Sequence, residues 1–519
     1  MSPAAAVPFT RIEKIALAVA LALALVLMWP LRGYLTDDTF IHLRYAQHLS
    51  RGQGLVFNRG ERVYGCTSPL WVALLADAMA VGLDGLATAK VMGGISTLLS
   101  IALFLQLLRR TVNTPELRAL ATVAWAGHAW MLRWSLSGME TPLAVALVLA
   151  GFVAYTEGQQ WGSRPVRTGA LWAMAALTRP EAVFLLGLWG IFLIADTENR
   201  AGLRRLVFGV IPPLLIYGTW LLFARVYFGT FWPQTLSAKA AGSQAAGFPL
   251  DNLIRQAQII VSTDGLLLLL LVLGLVFGGR RLWPKQVLAQ RLLPWVWIVT
   301  VPVLYVARGV PVISRYLLPL LPVMGWLAWR TAEIWWCGDA PSPARRARAV
   351  TFAALVTVIV LGQNFVVYRT RVVPQVRAFS AGLENTLVRW GRWFHRVAPA
   401  GAAIATPDIG ALAYYSDLPV VDLGGLVTPP MVPILDRESP EDAIAHLSFS
   451  SFAKPEFLVD RAPADDDLRR RSRFGPCLTR LGSGAIEGLG IANPETTIYT
   501  FYRVDWSCAD TLGRRNAKP

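Results

Sequence analysis

The chain has 519 residues, 54% of them hydrophobic and only 16% charged. Soluble proteins carry about 25% charge, so this composition excludes an ordinary aqueous enzyme and indicates an integral membrane protein. The formal charge of +16 does not point to nucleic acid, because Lys and Arg fall in short clusters between apolar segments, which is the pattern of membrane topology.

Apolar segments near 12–31, 86–108, 117–133, 139–156, 166–179, 181–196, 204–227, 262–279, 291–307, 314–335 and 349–369 give eleven expected transmembrane helices. The first has basic flanking residues, Arg11 and Lys14, and no clear small-residue cleavage site after it, so it reads as an uncleaved span. A further stretch, 69–83, has about 15 apolar residues, short of the ~20 that cross hydrocarbon. If it lies along the outer surface, the basic clusters Arg109/Arg110/Arg118, Arg164/Arg167, Arg200/Arg204/Arg205, Arg280/Arg281/Lys285/Arg291 and Arg345/Arg346/Arg348 all fall on the cytoplasmic side with the N-terminus. If it crosses, they all fall outside. The first arrangement is expected: a transmembrane module over 1–369, and an extracytoplasmic domain over 370–519.

Polar stretches then collect on the outer face. They are the loop 33–85, the turn SGMETP, the turn LTRPEA, and the loops 228–261 and 306–315. The tail changes composition, with short β-like runs at 402–405, 419–423 and 496–504, and reads as a small mixed α/β domain. Four Cys show no metal-ligand spacing. Cys477 and Cys508 are a disulfide candidate if the tail lies outside the cytoplasm, and Cys66 and Cys337 read as unpaired.

The candidate chemistry begins at Asp37 and Asp38, directly after the first span. Either serves as an N-cap for a helix beginning there, or as a base taking a proton from an acceptor hydroxyl. Glu140 has two readings, a charge favourable to a helix N-terminus or a site acid. Arg179 and Glu181 form either a structural ion pair or a functional one at the mouth of two spans. Lys239, Arg308 and Arg315 are cations at the outer boundary, suited to lipid phosphate or to snorkelling toward head groups. No zinc, P-loop, dinucleotide or nucleophile-elbow motif is present, so ATP-driven transport and hydrolase chemistry have no support.

The run DDTFIHLRYAQHLSRGQGLVFNRGERVYGCTSPLW resembles the first outer loop of GT-C-fold glycosyltransferases, nearest the mycobacterial and corynebacterial terminal arabinofuranosyltransferases. GMETPL, LTRPE, YFGTFWPQTLSAK, SRYLLPLLP and DIGALAYYSDLPVVDLGGL extend the resemblance over nearly the whole chain. It implies a polytopic α-helical GT-C fold of about 11 transmembrane helices, with juxtamembrane helices in the first outer loop and a small C-terminal α/β periplasmic domain. It also implies an inverting transfer, with Asp38 or Asp37 as base, from a polyprenyl-phosphate sugar, arabinofuranose for preference, to a glycan or glycolipid acceptor at the outer face of a bacterial plasma membrane. Lys239 and Arg315 lie in matched motifs and become phosphate ligands. Arg308, Arg179, Glu181 and Glu140, with Arg44, Tyr45 and His42 of the first loop, complete the substrate-binding candidates. No cofactor or protein metal ligand is implied, although a carboxylate pair can hold a divalent cation. The rival readings are another sugar or acceptor on the same fold, a lipid-linked-sugar flippase, and a non-catalytic scaffold of envelope assembly.

Overall fold

The structure, a computed structural model, describes residues 8–157, 164–195, 200–235, 249–278, 288–307, 309, 311–337, 342–463, 466–488 and 496–515. Five of its helices are long and apolar enough to cross a membrane, and Thr141–Tyr155, Ala182–Ala195 and Arg291–Ala307 are shorter apolar helices. By Cα proximity the chain forms two compact units, one of residues 1–32, 89–221 and 247–374, the other of residues 33–88, 222–246 and 375–519. The division is not a single cut along the chain, because the polar first loop belongs with the tail.

In the first unit, helix Arg11–Met28 shows how sequence becomes membrane packing. Thr10 caps it, and the Glu13 side chain accepts from the Thr10 N–H at 2.8 Å, closing a capping box. Ala16, Ala20, Ala24 and Met28 recur every fourth residue and are buried, and the helix packs on Pro115–Ala126. Small side chains at this spacing let helices approach closely. Ile15, Val19 and Val26 on other faces remain exposed, an apolar surface suited to lipid.

Several expected spans are longer or broken. The segment expected at 117–133 is two helices, Pro115–Ala126 and Ala129–Ser135. The break falls at Gly127–His128, where the His128 Nδ1 accepts from the Met131 N–H at 3.3 Å and so caps the second helix. The segment at 314–335 splits into Ser314–Leu317 and Leu321–Cys337 around Pro319, which has no N–H to continue a helix. Helix Pro249–Gly278 begins inside the expected loop 228–261 and bends at Asp264. Helix Pro343–Val367 runs on through π-turns at Tyr368–Val372 and Glu384–Val388 to Val397.

In the second unit, helix Asp37–Ser50 packs on helix Pro69–Ala80. The latter spans about 18 Å at 1.5 Å per residue, too short for a hydrocarbon core of about 30 Å. Thr36 caps the first of these helices, accepting from the Thr39 N–H at 3.3 Å, and Asp37 and Asp38 follow in its first turn. The cap role weighed for Asp37 and Asp38 is therefore supplied one residue earlier, by Thr36.

A five-stranded sheet forms from β1 (Ile404–Thr406), β2 (Val420–Asp422), β3 (Phe457–Ala462), β4 (Leu478–Ile486) and β5 (Thr497–Val504), in the order β2-β1-β3-β5-β4. β1 is parallel to β2 and β3, and β5 is antiparallel to β3 and β4. Leu458, Tyr502, Leu478, Phe449 and Phe474 are among the core side chains under it. Cys477 and Cys508 form a disulfide with Cα atoms 5.5 Å apart, and Cys66 and Cys337 are buried and not disulfide-bonded. Thiol labelling of denatured protein is expected to mark two cysteines without reductant and four with it. Cys508→Ser should lower the apparent Tm in detergent, consistent with about 4 kcal/mol for a loop of this size, and an unchanged Tm would remove the crosslink from the stability of this domain.

Candidate functional site

Two clusters stand out, one in each unit. In the second unit, Asp37 leaves the first turn of its helix and meets the N-terminus of helix Gly410–Ser416. Its Oδ2 accepts from the Gly410 N–H at 2.8 Å, and its Oδ1 from the Ala411 N–H at 2.7 Å. These two donors are among the N–H groups a helix leaves unsatisfied, so the carboxylate occupies a ready anion site. Phe40, one turn on, packs against Tyr414 and Tyr415 with ring centroids 5.6 and 5.3 Å away.

Asp408 lies beside Asp37 and is held by Arg461 (Nη1–Oδ2 3.1 Å) and by the Tyr499 hydroxyl, which donates to its Oδ2 at 2.7 Å. Arg461 and Tyr499 face each other in the β3–β5 register. Burial, and next the charge of Asp408, push the Asp37 carboxyl up to about 7 against the opposing pull of the two backbone N–H groups. A carboxyl near 7 is half-ionised at neutral pH and matched to taking a proton. Asp38 is half-buried in the same turn.

Gly410 is required by this contact. A Cβ built on it meets the Asp37 carbonyl oxygen and, at 2.7 Å, its Oδ2. Gly410→Ala is expected to cost about 1–3 kcal/mol as overpacking, lowering both the apparent Tm and the turnover. Unchanged turnover would show that Asp37 does not need this seat.

The other first-loop candidates form a scaffold. Arg44 is buried and donates from Nε to the Phe57 carbonyl at 2.9 Å, from Nη2 to the Leu418 carbonyl at 2.7 Å, and from Nη1 to the Ala413 carbonyl. Tyr45 donates to the Val63 carbonyl at 3.1 Å and accepts from the Gly65 N–H at 3.2 Å. Asn58 pairs with β2 as another strand would, its Nδ2 donating to the Val420 carbonyl at 2.8 Å and its Oδ1 accepting from the Val420 N–H at 3.0 Å. His42 is buried. The run from Arg44 to Asn58 thus ties the first loop to the tail through main-chain partners.

In the first unit, the three motifs GMETP, TRPE and SRY converge. Arg179 grips Glu181 with two bonds, Nε–Oε2 3.0 Å and Nη2–Oε1 2.6 Å, and reaches Glu140 with Nη1 at 2.7 Å. The Tyr305 hydroxyl also donates to Glu181. Tyr316 stacks on Tyr305 at 5.5 Å and lies between two guanidiniums, with Arg179 Cζ 5.2 Å and Arg315 Cζ 5.3 Å from its centroid. Arg315 also lies 5.5 Å from the Trp134 ring. Glu140, Arg179, Glu181 and Arg315 are all buried. A bidentate Arg between two carboxylates is a strong buried arrangement.

Glu140, Arg179, Glu181 and Arg315 are therefore brought together, and Asp37, Asp38, His42, Arg44 and Tyr45 share one helix in the second unit. Lys239 and Arg308 lie outside the described residues. Sequence reasoning missed Asp408, Arg461 and Tyr499 as partners of Asp37, and Tyr305 and Tyr316 as partners of Arg179. Asp408 carried a signal, because it follows the end of a parallel strand, where sites in α/β sheets form. Arg461 and Tyr499 carried none, since their meeting depends on the β3–β5 register. Among the described residues no group of three or more His, Cys, Asp or Glu side chains is arranged to hold a metal ion.

Comparison with known proteins adds three findings. Residues 375–512 match a family described as Domain of unknown function (DUF8728). The terminal beta-(1->2)-arabinofuranosyltransferase of Corynebacterium glutamicum is 27% identical over 255 residues, 42% of this chain and 34% of that protein. Its namesake in Mycobacterium tuberculosis is 31% identical over 234 residues, 41% of this chain and 36% of that protein, so each match spans about a third of the relative's length. ArnT from Cupriavidus metallidurans, solved bound to undecaprenyl phosphate, superposes with a TM-score of 0.55 at 13% identity, covering 93% of this chain and 97% of that one. AglB from Archaeoglobus fulgidus, solved with an inhibitory peptide and a dolichol-phosphate, gives 0.55 at 10% identity over 86% of this chain and 69% of that one. At these identities the structural likeness is one of fold, and the fold is that of the GT-C glycosyltransferases.

Proposed function

We propose that this chain is a membrane glycosyltransferase that moves arabinofuranose from a polyprenyl-phosphate donor to a glycan acceptor on the outer face of the plasma membrane, with inversion at the anomeric carbon. The observation that carries the reading is the Asp37 carboxylate, fixed by two backbone donors and poised near 7. The names of the two relatives support the sugar and the activity. The undecaprenyl phosphate of ArnT and the dolichol-phosphate of AglB support a lipid-phosphate leaving group.

In the proposed step Asp37 takes the proton of an acceptor hydroxyl as its oxygen bonds to the anomeric carbon. The bond from that carbon to the phosphate oxygen breaks, and its electron pair leaves with the polyprenyl phosphate. Asp38 assists as a second carboxylate near the developing positive sugar. The charge that builds on the departing phosphate needs a cation to stabilise it.

The Cys477–Cys508 disulfide supports an oxidising compartment for the tail, and the basic clusters between spans support a cytoplasmic N-terminus. Competition between arabinofuranosyl- and mannosyl-phosphate polyprenols in a detergent assay tests the sugar. Preference for the arabinose donor is expected, and preference for mannose would replace the sugar while keeping the reaction class.

A further inference from the structure

Asp37 takes both bonds of its seat from the tail, and the turn that offers them carries Asp408. β1 ends at Thr406, whose hydroxyl donates to the Asp408 carbonyl at 3.0 Å, and helix Gly410–Ser416 begins two residues after Asp408. The Gly410 and Ala411 N–H groups that meet Asp37 are the first of that helix. Any shift of the turn 407–409 therefore moves both donors together.

The turn is held from two sides. The Asp408 carboxylate accepts from Arg461 Nη1 at 3.1 Å and from the Tyr499 hydroxyl at 2.7 Å, residues that face each other across β3 and β5. On the other side, a Cβ on Gly424 would stand 3.9 Å from the Pro407 carbonyl oxygen. Asp422, at the end of β2, folds that neighbouring turn by accepting from the Gly424 and Val427 N–H groups at 2.8 Å each. The sheet of the tail thus fixes the turn through its strands.

Few charged or titratable groups face Asp37. Its own helix brings Asp38, the turn brings Asp408, and β3 and β5 bring Arg461 and Tyr499. Asp422 interacts with Asp408 from beyond it. Helix Gly410–Ser416 brings Tyr414 and Tyr415 but no charge, and helix Pro69–Ala80 brings only Asp77, which is exposed. After burial, the Asp408 charge is the largest influence raising the Asp37 carboxyl. One cation, Arg461, offsets that charge.

We propose that Asp408 is a positioning residue for Asp37, setting through its turn both where the base sits and the charge that faces it, with Arg461 as the counterweight. The inference rests on the reading of Asp37 as base, and it makes the tail a working part of the reaction centre. Two substitutions then act in opposite directions. Asp408→Asn keeps an acceptor for Tyr499 and removes the charge. The acid limb of kcat/KM moves down by about one pH unit, and the plateau kcat falls a few-fold, because a weaker base takes a proton less readily. Arg461→Gln leaves the Asp408 charge unopposed and moves the limb up by roughly the same amount. Arg461→Lys keeps the cation and restores the wild-type position. A purely structural role would lower kcat and leave the limb where it is.

The test is the pH profile of these full-length proteins in detergent, paired with a measurement that needs no turnover. Apparent Tm is followed against pH for each protein and for the same protein carrying Asp37→Asn. The difference between the two falls as pH rises and levels off where Asp37 ionises in the folded state. That end point is expected near 7 in the wild type, lower in Asp408→Asn and higher in Arg461→Gln, with the kinetic limb moving alongside it. A limb and an end point that stay in place, or that move the same way in both variants, overturn the inference. If Arg461→Gln does not fold, an unmoved end point in Asp408→Asn overturns it alone. End points that move in opposite directions, in an enzyme whose kcat/KM has no limb owed to Asp37, would uphold Asp408 as the group that positions Asp37 and overturn Asp37 as base.

Discussion

Asp37→Asn is expected to fold, to keep its apparent Tm within a few degrees, and to lose about 10²–10⁴-fold in kcat, the usual contribution of a general base. Asp38→Asn should lose less, because the electrostatic help of a neighbouring carboxylate is smaller than proton transfer. The pH profile separates the two further. Asp37 must be ionised to accept a proton, and burial beside Asp408 holds its pKa at about 7. In the wild type kcat/KM should therefore rise with pH, falling tenfold per unit below 7 and flattening above it, and the residual activity of Asp37→Asn should lack that limb. The sign for stability is opposite. A carboxyl raised above its unfolded value of about 3.9 favours the protonated native state, so its contribution to stability declines as pH rises from about 4 to 7. An acid limb near 4 in the wild type, or full activity in Asp37→Asn, would remove Asp37 as base.

The second large effect is expected at Arg179. Removing one partner of a buried ion pair leaves its charges uncompensated and costs about 3–5 kcal/mol, and Arg179 is shared by two buried glutamates. Arg179→Met should express poorly and melt at lower temperature in a fluorescence size-exclusion assay. Arg179→Lys should rescue little, because an ammonium cannot make the two parallel bonds to Glu181. The triple variant Glu140→Gln/Arg179→Met/Glu181→Gln removes all three charges together and should recover most of the stability. If it also recovers turnover, the cluster is structural. If turnover stays lost in a stable protein, at least one of the three side chains takes part in the reaction.

How much of this was legible in the sequence depends on the range of the interaction. Helix Pro69–Ala80 was readable, because a short apolar run and the side on which basic clusters fall are both local properties. The strands at 404–406, 420–422 and 497–504 were readable from β-branched and aromatic runs. β3 and β4 were not: FLVDRA has only three apolar residues in a row, and LTRLGSGAI is rich in Gly. The breaks at Gly127–His128 and after Leu317 escaped hydropathy, since an apolar average does not register where a helix changes direction. The candidate residues were found as types, but their partners were not. Asp37 is 373 residues from Gly410 and Arg44 is 369 from Ala413, separations at which no periodicity informs. Arg44 is a substrate-binding candidate by its place in a matched motif, and in the fold it is engaged with three carbonyls that tie the first loop to the tail.

The proposed reaction is a transfer from a lipid phosphate that depends on Asp37. Its most direct test is a stoichiometry: full-length protein in nanodiscs, a synthetic polyprenyl-phosphate arabinofuranose and an oligosaccharide acceptor, with both products quantified by mass spectrometry. One polyprenyl phosphate is expected for each pentose gained by the acceptor, and neither product from Asp37→Asn. Lipid-linked sugar crossing a vesicle bilayer while the acceptor stays unmodified would contradict it.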